Sequence, residues 1–125
     1  MILGLGIDLL ENRRVEQELS QREWLQGDGI FTQGEIRYCN CAKRAALRYA
    51  ACFAAKEATL KALGMGVRDL GMFREVELAL GANHEYKIVL HDRLRAESAR
   101  LGVRHIQLSI AHHAKQTAAV VILED

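Results

Sequence analysis

The sequence predicts an α+β fold in which an antiparallel sheet packs against one long helix. Three observations carry this. Apolar residues alternate with period two near both ends of the chain, an alanine-rich stretch over residues 43–63 has helical spacing, and the segments run strand, helices, strands, helix, strands. That order lacks the repeating strand–helix–strand unit of a nucleotide-binding α/β sheet.

Residues 2–10 set Gly4, Gly6 and Asp8 on one face and Leu3, Leu5, Ile7 and Leu9 on the other, a strand whose leucine face is expected to be core. From Glu11 to about Leu25, sparse apolar positions (Val15, Leu19) suggest a helix and then a loop ended by Gly27 and Gly29. Trp24 is expected to pack over that helix or to mark a partner-facing surface. Thr32 followed by Glu35 reads as a capping box opening a second helix. Lys43–Leu63 is the longest helix, with Tyr49, Phe53, Leu60 and Leu63 as its apolar stripe and Gly64 as its stop. Ala50 and Ala54 leave room for a ligand or strand to approach. Lys56 falls inside the stripe and must reach out or be paired. Arg74–Leu80 alternates with Val76, Leu78 and Leu80 inward, and Tyr86–Leu90 follows the turn Gly81-Ala82-Asn83. Residues 91–101 form a short helix closed by Gly102, and Ile106–Ala111 with Thr117–Leu123 form a final antiparallel pair. The last strand is apolar on both faces, which suggests cover on both sides.

The 125 residues fit a single domain over 1–125 with a real core, half of them being apolar. A net charge of +1 disfavours bulk binding to nucleic acid, and no apolar run reaches a membrane span. The N-terminus meets an aspartate at once and has no basic segment, so a signal peptide is not expected. Three cysteines, with Cys39 and Cys41 too close for an ordinary bridge, favour a reduced, cytoplasmic setting. A lone Cys-x-Cys is a poor zinc signal, and Cys52 reads as a small buried residue.

Chemistry concentrates at two places. Asp8 is a carboxylate in a strand flanked by glycines, and it must be paired, hydrogen-bonded, used as a cap or bound to a metal. Glu57 and Lys61 are four apart on the long helix, either an exposed pair or part of a site. Asp8 and Glu57 together suit Mg²⁺, which takes a few carboxylates plus phosphate oxygens. Lys61 and the Gly64-Met65-Gly66 turn suit a phosphate, so the parts add up to a site that handles a pyrophosphate. His112 and His113, adjacent at a strand end, point to opposite sides, and contact of one of them with a phosphate is preferred over a metal pair.

Gly-Leu-Gly-Ile-Asp8, Arg14-Val15-Glu16, Phe53-Ala54-Ala55-Lys56-Glu57-Ala58, Lys61-Ala62-Leu63-Gly64-Met65-Gly66 and Ser109-Ile110-Ala111-His112 make the chain resemble the holo-acyl-carrier-protein synthases, the small bacterial 4′-phosphopantetheinyl transferases. The resemblance spans nearly the whole chain in order. It implies the fold of that family and transfer of phosphopantetheine from coenzyme A to a serine of an apo acyl carrier protein, releasing adenosine 3′,5′-bisphosphate. Asp8 and Glu57 would be the Mg²⁺ ligands, with Glu57 and Lys61 the catalytic pair. Lys43, Arg44, Arg48, Lys61, Gly64, Gly66, Ser109 and His112 would contact coenzyme A, and Arg13 and Arg14 the acidic carrier. A cytoplasmic homotrimer with sites between protomers is implied, without nucleic acid or membrane, and with basic residues such as Arg44 and Arg48 set against a neighbour's metal centre. Cys52, His84-Glu85-Tyr86 and Gln107 depart from the family pattern, at the nucleotide end and the trimer cleft. They leave two alternatives open: a non-catalytic trimeric carrier-binding module, and another small metal-dependent phosphate enzyme.

Overall fold

The computed structural model describes residues 1–21 and 29–125. Strand β1 (Ile2–Glu11) leads into α1 (Asn12–Ser20). Residues 22–28, which include Trp24 and Gly27 of the expected loop, lie outside the described residues. Then come α2 (Gln33–Asn40), α3 (Ala45–Ala62), α4 (Gly71–Arg74), β2 (Val76–Leu80), β3 (Tyr86–Leu90), α5 (Asp92–Arg100), β4 (His105–His112) and β5 (Gln116–Glu124). The expected capping box is formed: the Glu35 amide donates to Thr32 Oγ1 at 3.1 Å, and the Thr32 amide to Glu35 Oε1 at 2.8 Å. Gly64 takes φ +70° beyond the last turn of α3, and the Met65 amide reaches back to the Leu60 carbonyl at 3.0 Å, so the helix stops where the sequence said.

The strands are antiparallel but fall into two sheets, β1-β5-β4 and β2-β3. Register aligns Asp8 with Ala119 and Leu10 with Thr117, and on the other side Ile110 with Ala119 and His112 with Thr117. One face of the larger sheet therefore carries Gly4, Gly6, Asp8, Ala119, Val121 and Leu123, and α3 lies across it. A Cβ on Gly4 would collide with the Ala62 carbonyl oxygen, and one on Gly6 with that of Ala58. The small residues on α3 that admit the strand are thus Ala58 and Ala62, one and two turns beyond the expected Ala54. The glycine face is filled by the chain's own helix and leaves no space for a neighbour.

The opposite face corrects a second expectation. Leu5, Ile7 and Leu9 are 64%, 61% and 61% exposed, so the leucine face of β1 is not core within one chain. Alternation shows that a face is apolar, not what covers it. Val120 and Ile122 of β5 lie half-buried beside it. Leu80, expected inward, is 43% exposed, and Arg74, expected to open the strand, instead ends the short helix α4 before β2 begins at Val76. The core is built around α3, whose Ala50, Ala51, Cys52, Ala54, Ala55 and Ala58 are fully buried.

Lys56 is fully buried and paired. Its ammonium donates to Glu35 Oε1 at 2.7 Å, to the Phe73 carbonyl at 2.8 Å and to the Val76 carbonyl. Glu35 also accepts the Leu78 amide at 2.9 Å. Desolvation lowers the Lys56 pKa, and Glu35 opposes that shift. The pair ties α2, α3 and the start of β2 together.

Candidate active site

The glycine face delivers Asp8 to α3. Because Gly4 and Gly6 let the helix backbone ride directly on β1, the next inward residue meets the following exposed edge of the helix, where Glu57 and Lys61 lie one turn apart. Lys61 Nζ donates to Asp8 Oδ1 at 3.1 Å and to the Ile7 carbonyl at 3.1 Å. The Asp8 side chain is nearly buried at 11% exposure, whereas Lys61 is half exposed. Glu57 is half-buried beside Asp8. Burial, and then the Asp8 carboxylate, push the Glu57 carboxyl above its ordinary value, while Lys61 and Arg14 pull it back. Two carboxylates and an ammonium at a solvent-accessible edge, with a guanidinium near, form one cluster. The strand-and-helix meeting of Asp8, Glu57 and Lys61 is what the sequence predicted.

The same cluster tests the fit of a divalent cation. The Asp8 carboxylate raises the proton affinity of Glu57, and a cation held between the two would relieve that repulsion. A pair of carboxylates open to solvent is the donor set of Mg²⁺ shared with phosphate oxygens. Among the described residues there is no group of three or more His, Cys, Asp or Glu side chains placed to hold a metal alone.

The other expected contacts are not gathered around these carboxylates. Arg44 and Arg48 stand at the start of α3, about 14–20 Å from Glu57 along the helix at 1.5 Å per residue. Lys43 and Arg44 are exposed, and Arg48 is engaged with α2: its Nη1 donates to the Tyr38 carbonyl at 2.7 Å and its guanidinium lies 4.1 Å from the Tyr38 ring centre. Ser109 shares the face of Val120, opposite to that of His112, which shares the face of Asp8 two strands away. One protomer cannot bring both to one ligand. Burial lowers the His112 pKa, and its Nδ1 lies 3.0 Å from Thr117 Oγ1. Gly64 and Gly66 line a shallow cavity of about 330 Å³ with Met65, Arg68 and Glu97. Arg13 and Arg14 are both exposed on α1, and the Arg14 charge lowers the Glu57 pKa.

Sequence reasoning missed one polar cluster and half of another. It expected Lys56 to reach out or be paired but did not name Glu35 as the partner. The cluster missed altogether is that of Asn12, only 3% exposed, whose amide holds the turn between β4 and β5. An asparagine directly after a strand was its only trace. Cys52 is fully buried as expected, with its thiol 3.8 Å from that of Cys39.

Residues 4–121 match the family described as the 4′-phosphopantetheinyl transferase superfamily. A holo-[acyl-carrier-protein] synthase of Koribacter versatilis is 38% identical over 125 residues, covering all of both chains. The crystal structure of the holo-[acyl-carrier-protein] synthase of Neisseria meningitidis superposes with a TM-score of 0.88 at 26% identity, covering all of both chains. That of Bacillus anthracis, in complex with coenzyme A (3′,5′-ADP), gives 0.77 at 28% identity, covering 98% of this chain and 96% of that one.

Proposed function

Because this chain belongs to the 4′-phosphopantetheinyl transferase superfamily, we propose that Asp8, Glu57 and Lys61 are the centre at which it works. The activity follows from the family and from full-length relatives: the chain is a transferase that moves 4′-phosphopantetheine from coenzyme A to a serine of an apo acyl carrier protein. The observation that carries the site is the meeting of Asp8, Glu57 and Lys61 between β1 and α3.

In the reaction the carrier serine oxygen forms a bond to the phosphorus that bears pantetheine. The bond from that phosphorus to the bridging oxygen breaks, and adenosine 3′,5′-bisphosphate leaves. Glu57 takes the serine proton. As a half-buried carboxylate already fixed beside Asp8, it is positioned to accept that proton. Lys61, fixed by Asp8 and the Ile7 carbonyl, presents its ammonium to the pyrophosphate and stabilises charge gathering on it. Mg²⁺, held by Asp8 and Glu57, would supply Lewis-acid charge at the same oxygens. Arg14 steers an acidic carrier toward the cluster, with Arg13 alongside it on α1.

We infer that residues 1–125 act as one domain, in the cytoplasm, and as a homotrimer. The exposed leucine face of β1 supports the trimer. So does the scatter of Lys43, Arg44, Arg48 and Ser109 away from the carboxylates, since a second protomer can bring them to coenzyme A bound at the first. The non-catalytic alternative, which Cys52 and Gln107 favoured, loses its ground because full-length relatives are synthases. Incubating the protein with coenzyme A, Mg²⁺ and an apo carrier tests the assignment. The carrier should gain the mass of one phosphopantetheine on its serine, and an unchanged carrier mass would refute the reading.

A further inference from the structure

Helix α2 is laced to α3 in a fixed register. Glu35 and Cys39 lie four apart on α2, and Cys52 and Lys56 four apart on α3, so each pair shares one helix face, one turn apart. The helices run in opposite directions there. Glu35 near the start of α2 meets Lys56 at 2.7 Å, and one turn on Cys39 meets Cys52, with the two thiol sulfurs 3.8 Å apart. A further rung follows, where the Tyr49 hydroxyl donates to Asn40 Oδ1 at 2.8 Å. Cys39 and Cys52 are fully buried in the core, whereas Cys41, at the end of α2, is exposed.

The hydrogen bond to Cys39, and then burial, push the Cys52 thiol well above its ordinary value, so at neutral pH it rests as an uncharged thiol. No step of the transfer uses either cysteine. The two sulfurs are already in contact, and a disulfide of about 2 Å needs each to move by about 1 Å. The ion pair on one side and the Tyr49–Asn40 bond on the other keep the helices in place while they do so.

We propose that Cys39 and Cys52 form a redox-sensitive latch, which hydrogen peroxide closes into a disulfide that clamps α2 to the helix carrying Glu57 and Lys61. The oxidant is small and uncharged, and it reaches the pair during brief local opening of α2. One sulfur takes a hydroxyl from the peroxide and becomes a sulfenic acid, and water leaves. The second sulfur attacks the first, the S–S bond forms, and the sulfenic hydroxyl departs with the remaining thiol proton as a second water. Two thiols thus lose two electrons and two protons, and one peroxide is reduced to two waters. The bond joins residues 13 apart in the chain and removes freedom from the unfolded state. The latch therefore holds α3 folded under oxidising conditions, and it stands independently of the transferase reading.

The full chain carrying Cys41→Ser, which removes the exposed thiol, is treated with hydrogen peroxide and compared with its reduced form. Its mass should fall by two hydrogens. Trypsin cuts after Lys43, Arg44 and Arg48, between the two cysteines, yet one fragment should contain both until a dithiol reductant separates them. The oxidised form should melt several degrees above the reduced form, and the reductant should reverse the shift. Cys39→Ala and Cys52→Ala, each added to that background, should show neither the linked fragment nor the rise. A pair that stays reduced, or that passes to sulfinic acid without joining, overturns the latch. So does a disulfide that lowers the melting temperature or links separate chains.

Discussion

The Lys61 ammonium is held by Asp8 across the gap between helix and strand, at 3.1 Å. With its lysine half exposed, the pair contributes little to stability by itself, so its use is to aim the ammonium. Asp8→Ala and Glu57→Gln should therefore leave thermal unfolding near that of the parent. Each should lower kcat/KM about a thousandfold, the loss of several kcal/mol of transition-state stabilisation. Carrier mass spectrometry together with a melting curve checks this. A variant that transfers at close to the parent rate with Mg²⁺ present removes its residue from the centre.

Glu57 carries a pH signature. Its folded pKa lies above the unfolded value, so the folded state holds this proton more tightly. Its contribution to stability is present below the ordinary carboxylate range and is lost as pH rises through the raised value. Asp8→Asn removes the neighbouring charge. In metal-free protein, NMR titration should then place the Glu57 midpoint lower than in the parent, and the variant should gain stability relative to the parent as pH rises from 4 to 7. An unmoved midpoint would show that Asp8 does not act on Glu57.

The buried Glu35–Lys56 pair predicts strong non-additivity. Lys56→Met leaves the Glu35 carboxylate buried without its cation and should cost about 3–5 kcal/mol. Adding Glu35→Gln should recover a large part of that loss. Urea denaturation of the single and double variants measures the coupling, and strictly additive losses would contradict the pairing.

Much of this was legible in the residue pattern. Gly4, Gly6 and Asp8 announced a strand that something approaches closely, and Glu57 and Lys61 announced one edge of a helix. Local chemistry also specified both ends of helices, with Thr32 and Glu35 opening α2 and Gly64 closing α3. What the pattern left open was long-range. The leucines of β1 do not say whether their cover comes from the same chain, and Lys56 does not name its partner. Ser109 and His112, three apart in one strand, fall on opposite faces by alternation, but the pattern does not say which of them faces the helix. That depends on the pairing of β4 with β5.

Arg14→Glu should raise carrier KM more than coenzyme A KM, with a deficit that shrinks at high salt. Arg14 also lowers the Glu57 pKa, so the same change should move the acid limb of the pH–rate profile to higher pH. Steady-state kinetics over pH and ionic strength reads both effects. A carrier KM unchanged at low salt would take Arg14 off the docking surface.

The exposed leucine face gives the oligomer test. Light scattering should report three times the chain mass, and Ile7→Glu, which buries a charge in the proposed interface, should yield a monomer without transferase activity. A parent protein that is monomeric at working concentration and fully active would overturn the composite coenzyme A site.

The contact of Gly6 with the Ala58 carbonyl has a mechanical consequence. Where side chains separate two elements, their rotamers act as springs and the gap can breathe. Here main chain rests on main chain, and the adjustable parts at the site are the side chains of Asp8, Glu57 and Lys61. The distance from the Asp8 backbone to the Glu57 backbone is therefore stiff. Mg²⁺ accepts only a narrow range of ligand distances, so at the proposed site this rigidity would act as a gauge, set at the residue next to Glu57. A methyl group added at Gly6 would push the whole helix outward and spoil the gauge without touching either carboxylate.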